Sequence, residues 1–94
     1  MHFIVEFRPV AGKEAAFRKE LLRVAEATRQ EPGCLMYRGY ETIREPKVFA
    51  VYTEWVDEEA FELHARLPHT VRFLEAGKDL LTHEVKGLRL RQIV

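Results

Sequence analysis

The chain has 94 residues, enough for one domain that hides only about two thirds of its unfolded surface, so help from a partner subunit is expected. Fifteen basic and fifteen acidic side chains cancel to a net charge of zero. That balance excludes the positive footprint of a nucleic-acid or anionic-membrane binder. Hydrophobic residues make up 47%, and no apolar run approaches the roughly 20 residues that span a bilayer, so the composition reads as that of a soluble globular domain whose function lies in a local site.

Met1 leads straight into strand-like sequence without a basic segment or apolar leader, and the single cysteine, Cys34, has no internal partner for a disulfide. Both features point to the cytoplasm. The chain has no Asn and no Ser, and ten Arg against five Lys. Scarce thermolabile amides are expected of a thermophilic source, although a GC-rich genome skews composition the same way.

His2 to Arg8 alternates, with Phe3, Val5 and Phe7 on one face and Ile4 and Glu6 on the other, which predicts a strand. Pro9 and Gly12 end it. From Lys13 to Gln30 the residues Phe17, Leu21, Val24, Ala25 and Thr28 recur at three- and four-residue spacings, which predicts an amphipathic helix of about 27 Å lying across a sheet. Pro32-Gly33 then turns the chain: proline disfavours helix before it, and glycine accepts positive φ.

Leu35 to Ile43 and Val48 to Val56 predict two strands joined as a hairpin through Glu45-Pro46-Lys47. The second of them is apolar on both faces, as a strand covered on both sides should be. Asp57 stands where a helix N-cap belongs, with Glu58 and Glu59 at the positive end of the dipole. Ala60, Phe61 and His64 form the inward stripe of that helix, and Leu67 closes it. Pro68 breaks the helix, His69 to Leu81 predicts a further helical stretch interrupted at Gly77, and Val85 to Ile93 predicts a last strand.

The order β-α-β-β-α-β is the ferredoxin-like α+β plan, an antiparallel sheet with helices on one face. Its other face is left bare, and pairing that face with a second copy in a twofold homodimer closes the two sheets into an α+β barrel.

The stretch Glu31-Pro32-Gly33-Cys34, then Glu54-Trp55, then a helix carrying His64, resembles in order and spacing the antibiotic biosynthesis monooxygenase family of small dimeric α+β barrel proteins. The resemblance covers nearly the whole chain. It implies the same barrel and a cleft that takes a small hydrophobic or aromatic metabolite. The haem-degrading branch of the family uses an asparagine on the first strand, a tryptophan on the second helix and an iron-ligating histidine. This chain has no Asn, places Trp55 on a strand, and has Phe73-Leu74 where that histidine is expected, so haem cleavage does not fit.

His64 is the candidate catalytic base, since an imidazole held against a sheet exchanges a proton near neutral pH. The plainer reading is a core histidine satisfied by one hydrogen bond, to Glu54 or Tyr52. Glu54, on the Tyr52 face of its strand, needs a partner such as His64, Arg38 or Arg89 if it is buried. It either tunes the histidine or ends the strand in solvent or in a dimer salt bridge. Tyr37, Tyr52, Phe61 and Phe73 are the candidate substrate-binding aromatics beside Glu54, with ordinary core as the default for each phenylalanine.

Cys34 fits a small buried position better than a catalytic thiol. His2, His64, His69 and His83 lack metal-like spacing; His64 and His69 are expected on different helical faces beyond a proline, which argues against a metal site. The sequence contains no G-x-G-x-x-G, Walker or flavin fingerprint, so no bound cofactor is expected. Arg38-Gly39-Tyr40 matches the start of an RNA-recognition motif only weakly and lacks basic surroundings.

Two hypotheses share one pocket: a cofactor-independent monooxygenase acting on a phenolic, quinol or other enolisable substrate, and an isomerase using the same base without oxygen. A third is a non-catalytic dimer that binds a small metabolite.

Overall fold

The computed structural model describes residues 1–83 and 85–94. Among the described residues, four strands, β1 (His2–Phe7), β2 (Cys34–Glu41), β3 (Phe49–Trp55) and β4 (Gly87–Leu90), and three helices, α1 (Glu14–Thr28), α2 (Glu58–Arg66) and α3 (Pro68–Leu80), follow in the order β1-α1-β2-β3-α2-α3-β4. The sheet order is β2-β3-β1-β4 and each neighbouring pair is antiparallel, which is the ferredoxin-like arrangement the element order predicts. No described helix is long and apolar enough to cross a membrane.

The α1 stripe read from the sequence is the buried one: Phe17, Leu21, Val24, Ala25 and Thr28 all face the sheet. Thr28 satisfies its hydroxyl by donating to the Val24 carbonyl at 2.6 Å, the usual way a buried threonine closes its own accounts on a helix. Val5, Phe7, Tyr37, Phe49, Val51 and Phe73 complete the core, with the Phe17 ring 5.1 to 5.8 Å from those of Phe7, Phe49 and Phe73.

Strand register fixes which side chains share a face, because residues directly opposite one another point the same way. Tyr37 pairs with Thr53 and Gly39 with Val51 on the helix side. On the other side His2 and Ile4 pair with Leu90 and Leu88, and with Glu54 and Tyr52 across β3. That second face is uncovered within one chain and leaves Ile4, Tyr40, Leu88 and Leu90 exposed.

Several local expectations are corrected. Gly77 does not interrupt α3; it is buried inside the helix, where a methyl group would press on Leu81. Gly33 does not use positive φ, which only Gly12 adopts among the described glycines. Gly33 is needed for close approach: a Cβ there would lie 2.5 Å from the Ala60 Cβ of α2. The last strand is also shorter than Val85 to Ile93, keeping only Gly87–Leu90.

Candidate functional site

Three elements converge at one end of the helical layer. Asp57 caps α2, its Oδ1 accepting from the Ala60 amide at 2.8 Å, which sets the helix phase and turns Phe61 and His64 toward β3. Leu67 ends α2 in an extended conformation, φ −71° and ψ 149°, and is at the same time the residue from which α3 starts. Pro68 opens α3 at the first helical position, where its missing N–H costs nothing. The turn after α1 brings in Glu31, and Gly33 lets that turn lie against Ala60 of α2.

At the centre, one carboxylate oxygen serves two imidazoles. His64 Nδ1 donates to Glu31 Oε2 at 2.7 Å, and His69 Nε2 donates to the same oxygen at 2.6 Å. Thr70 Oγ1 lies 3.2 Å from His64 Nδ1 and shares its hydrogen. The side chains are sheltered: Glu31 is 10% exposed, His64 12% and His69 27%. The His64 ring stacks obliquely on Trp55, with centroids 4.7 Å apart, and lies 5.9 Å from Phe61. Trp55 is pinned by its Nε1, which donates to Thr53 Oγ1 at 2.9 Å.

Because a carboxylate oxygen can only accept, His64 Nδ1 carries the ring hydrogen and Nε2 holds the lone pair of the neutral ring. An acidic residue behind one nitrogen and a free lone pair on the other is the arrangement of an oriented general base. The ring borders an apolar cavity of about 150 Å³ between helices and sheet, lined among others by Tyr37, Thr53, Phe61, Thr70 and Phe73. A cavity of about that volume accommodates a benzene ring. A wider groove of about 490 Å³ continues from it past Phe7, Phe73, Leu74 and Val85 to Lys78 and His83.

Of the residues singled out from sequence, His64, Tyr37, Phe61 and Phe73 meet at this cavity. Tyr52 and Glu54 do not. They sit on the uncovered face of β3, where the Tyr52 hydroxyl and His2 Nδ1 are hydrogen-bonded at 2.6 Å. Neither hydrogen-bonds His64, whose partner is Glu31. Arg89 is engaged by Glu58 and Glu62 of α2 rather than by Glu54. Cys34, at the start of β2, has a thiol held above its usual range, first by burial and then by the nearby Glu31 charge, against a smaller opposing hydrogen bond at Met36 and the Arg29 charge.

The expectation that His64 and His69 face apart is wrong. The five-residue spacing would hold the two apart on one continuous helix, but the break expected at Pro68 restarts the helix from the extended Leu67 and brings His69 back toward Glu31. Glu31 and His69 are therefore the functional candidates that sequence reasoning missed. The signal for Glu31 was its place at the head of the Pro-Gly turn; that for His69 was the proline directly before it.

The family model for antibiotic biosynthesis monooxygenases matches residues 1–76. A proposed monooxygenase of Bacillus subtilis, YcnE, is 30% identical over 77 residues, covering 82% of this chain and 81% of that protein. An uncharacterised Synechocystis protein, sll1783, is 36% identical over 56 residues, 60% of this chain, and the match spans only 38% of its length. The crystal structure of PA3566 from Pseudomonas aeruginosa superimposes with a TM-score of 0.89 at 27% identity, covering 99% of this chain and 93% of that one.

Proposed function

The chain belongs to the antibiotic biosynthesis monooxygenase family, and from that premise we propose that it is a cofactor-independent monooxygenase of small phenolic, quinol or other enolisable substrates, with His64 as its base. The observation that carries this reading is the His64–Glu31 pair beside an apolar cavity sized for one aromatic ring. Nε2 of His64 takes a proton from the substrate, and Glu31 stabilises the imidazolium that forms. The resulting carbanion adds dioxygen, making one C–O bond, and the peroxide takes up the proton. Loss of water from the adjacent C–H and O–OH then leaves a carbonyl, so one oxygen atom enters the product and the other leaves in water.

Tyr37, Phe61 and Phe73 are the proposed substrate walls. Tyr52 and Glu54 are given no part in this pocket; we assign them to the sheet face that carries Ile4, Leu88 and Leu90. The exposed apolar residues of that face support a homodimer in which a second copy covers it.

The test is oxygen uptake by the purified protein with a panel of quinols and phenols, run beside His64→Ala. Uptake should fall by about 10²- to 10⁴-fold in the variant, the range for losing a general base, assayed well below its melting temperature, which truncation of a side chain only 12% exposed also lowers. Full uptake in His64→Ala would remove the base assignment. No uptake with any substrate would reject the oxygenase reading and turn the search to isomerisation and ligand-induced thermal shift.

A further inference from the structure

We propose that Glu31, His64 and His69 form a binding site for one divalent transition-metal ion of the zinc and cobalt class. Glu31 Oε2, His64 Nδ1 and His69 Nε2 all lie within 4.8 Å of one another. Three ligands each about 2.0–2.1 Å from a tetrahedral zinc stand roughly 3.3 Å apart. The two nitrogens are 2.7 and 2.6 Å from the carboxylate oxygen and within 4.8 Å of each other, so the triangle reaches that size when the carboxylate retreats by well under 1 Å and the two rings turn toward a common point.

Chemistry and placement agree with this geometry. Two imidazoles and one carboxylate, with a further position open, are a ligand set that zinc and iron(II) both take. The three donors come from the turn after α1, from α2 and from the first turn of α3, so an ion here ties together segments far apart in sequence. Trp55 and Phe61 wall one side of the His64 ring. The 27% exposure of His69 gives an entering ion a path from solvent.

A neutral imidazole that ligates through Nδ1 carries its hydrogen on Nε2. Ion binding therefore moves the ring hydrogen of His64 from the Glu31 side to the other nitrogen and converts a lone-pair acceptor into a donor. Binding of the ion stands apart from the oxygenase reading; its consequence, that the loaded protein has no free base at His64, rests on that reading.

The experiment uses the whole chain stripped of metal, titrated with cobalt(II) by visible absorption and with zinc(II) by calorimetry, and needs no substrate. One ion per chain should bind, with the absorption of low-coordinate cobalt. His69→Ala and Glu31→Gln should each weaken binding by at least about 10- to 100-fold, the loss known for removing even an outer partner of a metal ligand. Nitrogen NMR of the imidazoles should show the His64 hydrogen on Nδ1 before zinc and on Nε2 after it. Failure of both ions to bind one per chain, or unchanged affinity in both folded variants, overturns the site. An unmoved His64 hydrogen in the zinc-loaded protein overturns ligation through Nδ1. Because no step depends on turnover, a protein that consumes no oxygen still gives a decisive result.

Discussion

Replacing Gly33 with alanine tests whether the turn carrying Glu31 is pressed against the helix carrying His64. The added Cβ would stand 2.5 Å from the Ala60 Cβ, with Val56 at 3.5 Å behind it, against the 3.4–4 Å of ordinary contact. Neither atom belongs to a flexible side-chain end, so the turn and α2 must separate by roughly 1 Å. Overpacking of this kind costs about 1–3 kcal/mol, and each kcal/mol lowers the melting temperature of a domain of this size by about 4–8 °C. Gly33 lies two residues after Glu31 and Ala60 four before His64, so the same movement lengthens the Glu31–His64 hydrogen bond. Urea unfolding of Gly33→Ala, Ala60→Gly and the double variant measures the effect. Ala60→Gly alone should cost about 1 kcal/mol, the helix price of glycine, while the double variant should recover most of the Gly33→Ala loss. Strictly additive costs, or a Gly33→Ala protein as stable as the parent, would refute the close-approach argument.

The remaining predictions concern the cap, the core and one buried tyrosine. Asp57→Ala removes the acceptor for the Ala60 amide and should lower stability by about 0.5–2 kcal/mol by denaturant titration. Phe17→Ala empties the centre of the core, where Phe17 is fully buried, and should cost about 3–5 kcal/mol. Tyr37 is held well above the usual phenol range, by burial first, with the Arg29 charge opposing and Cys34 adding slightly. Its folded form keeps the proton that the unfolded chain gives up, so this contribution to stability is intact below about pH 10, the ordinary tyrosine value, and is lost as pH rises toward the raised folded value. Melting temperatures should therefore decline above about pH 10, and less steeply in Tyr37→Phe; identical slopes would show that Tyr37 is not responsible.

The fold was legible because its signals are periodic. The α1 stripe from Phe17 to Thr28 and the alternation in β1 each depend only on spacing within one element, and the structure buries the α1 stripe, Val5 and Phe7, with Phe3 half-buried. His64 could be placed on the inward face of α2 for the same reason. Its partner could not, because Glu31 lies 33 residues away and no local rule predicts which loop a helix face will meet. Glu54 illustrates the converse: period two correctly put it on the Tyr52 face, but only the sheet order reveals that this face is the one the helices leave uncovered. Gly33 is a third case, where the residue was recognised as special and the physical reason was proximity to Ala60 instead of backbone handedness.

The break at Leu67 and Pro68 gives the pocket a written address. On one uninterrupted helix, five residues advance about 500°, leaving two side chains about 140° apart, so His64 and His69 could not reach a common oxygen. A deletion or insertion between them would rotate one donor away even if every contacting residue were retained. The spacing His-x-x-x-Pro-His, with a glutamate directly before a Pro-Gly turn upstream, is thus a searchable text pattern. It separates chains able to build this two-histidine cluster from those that share only the fold.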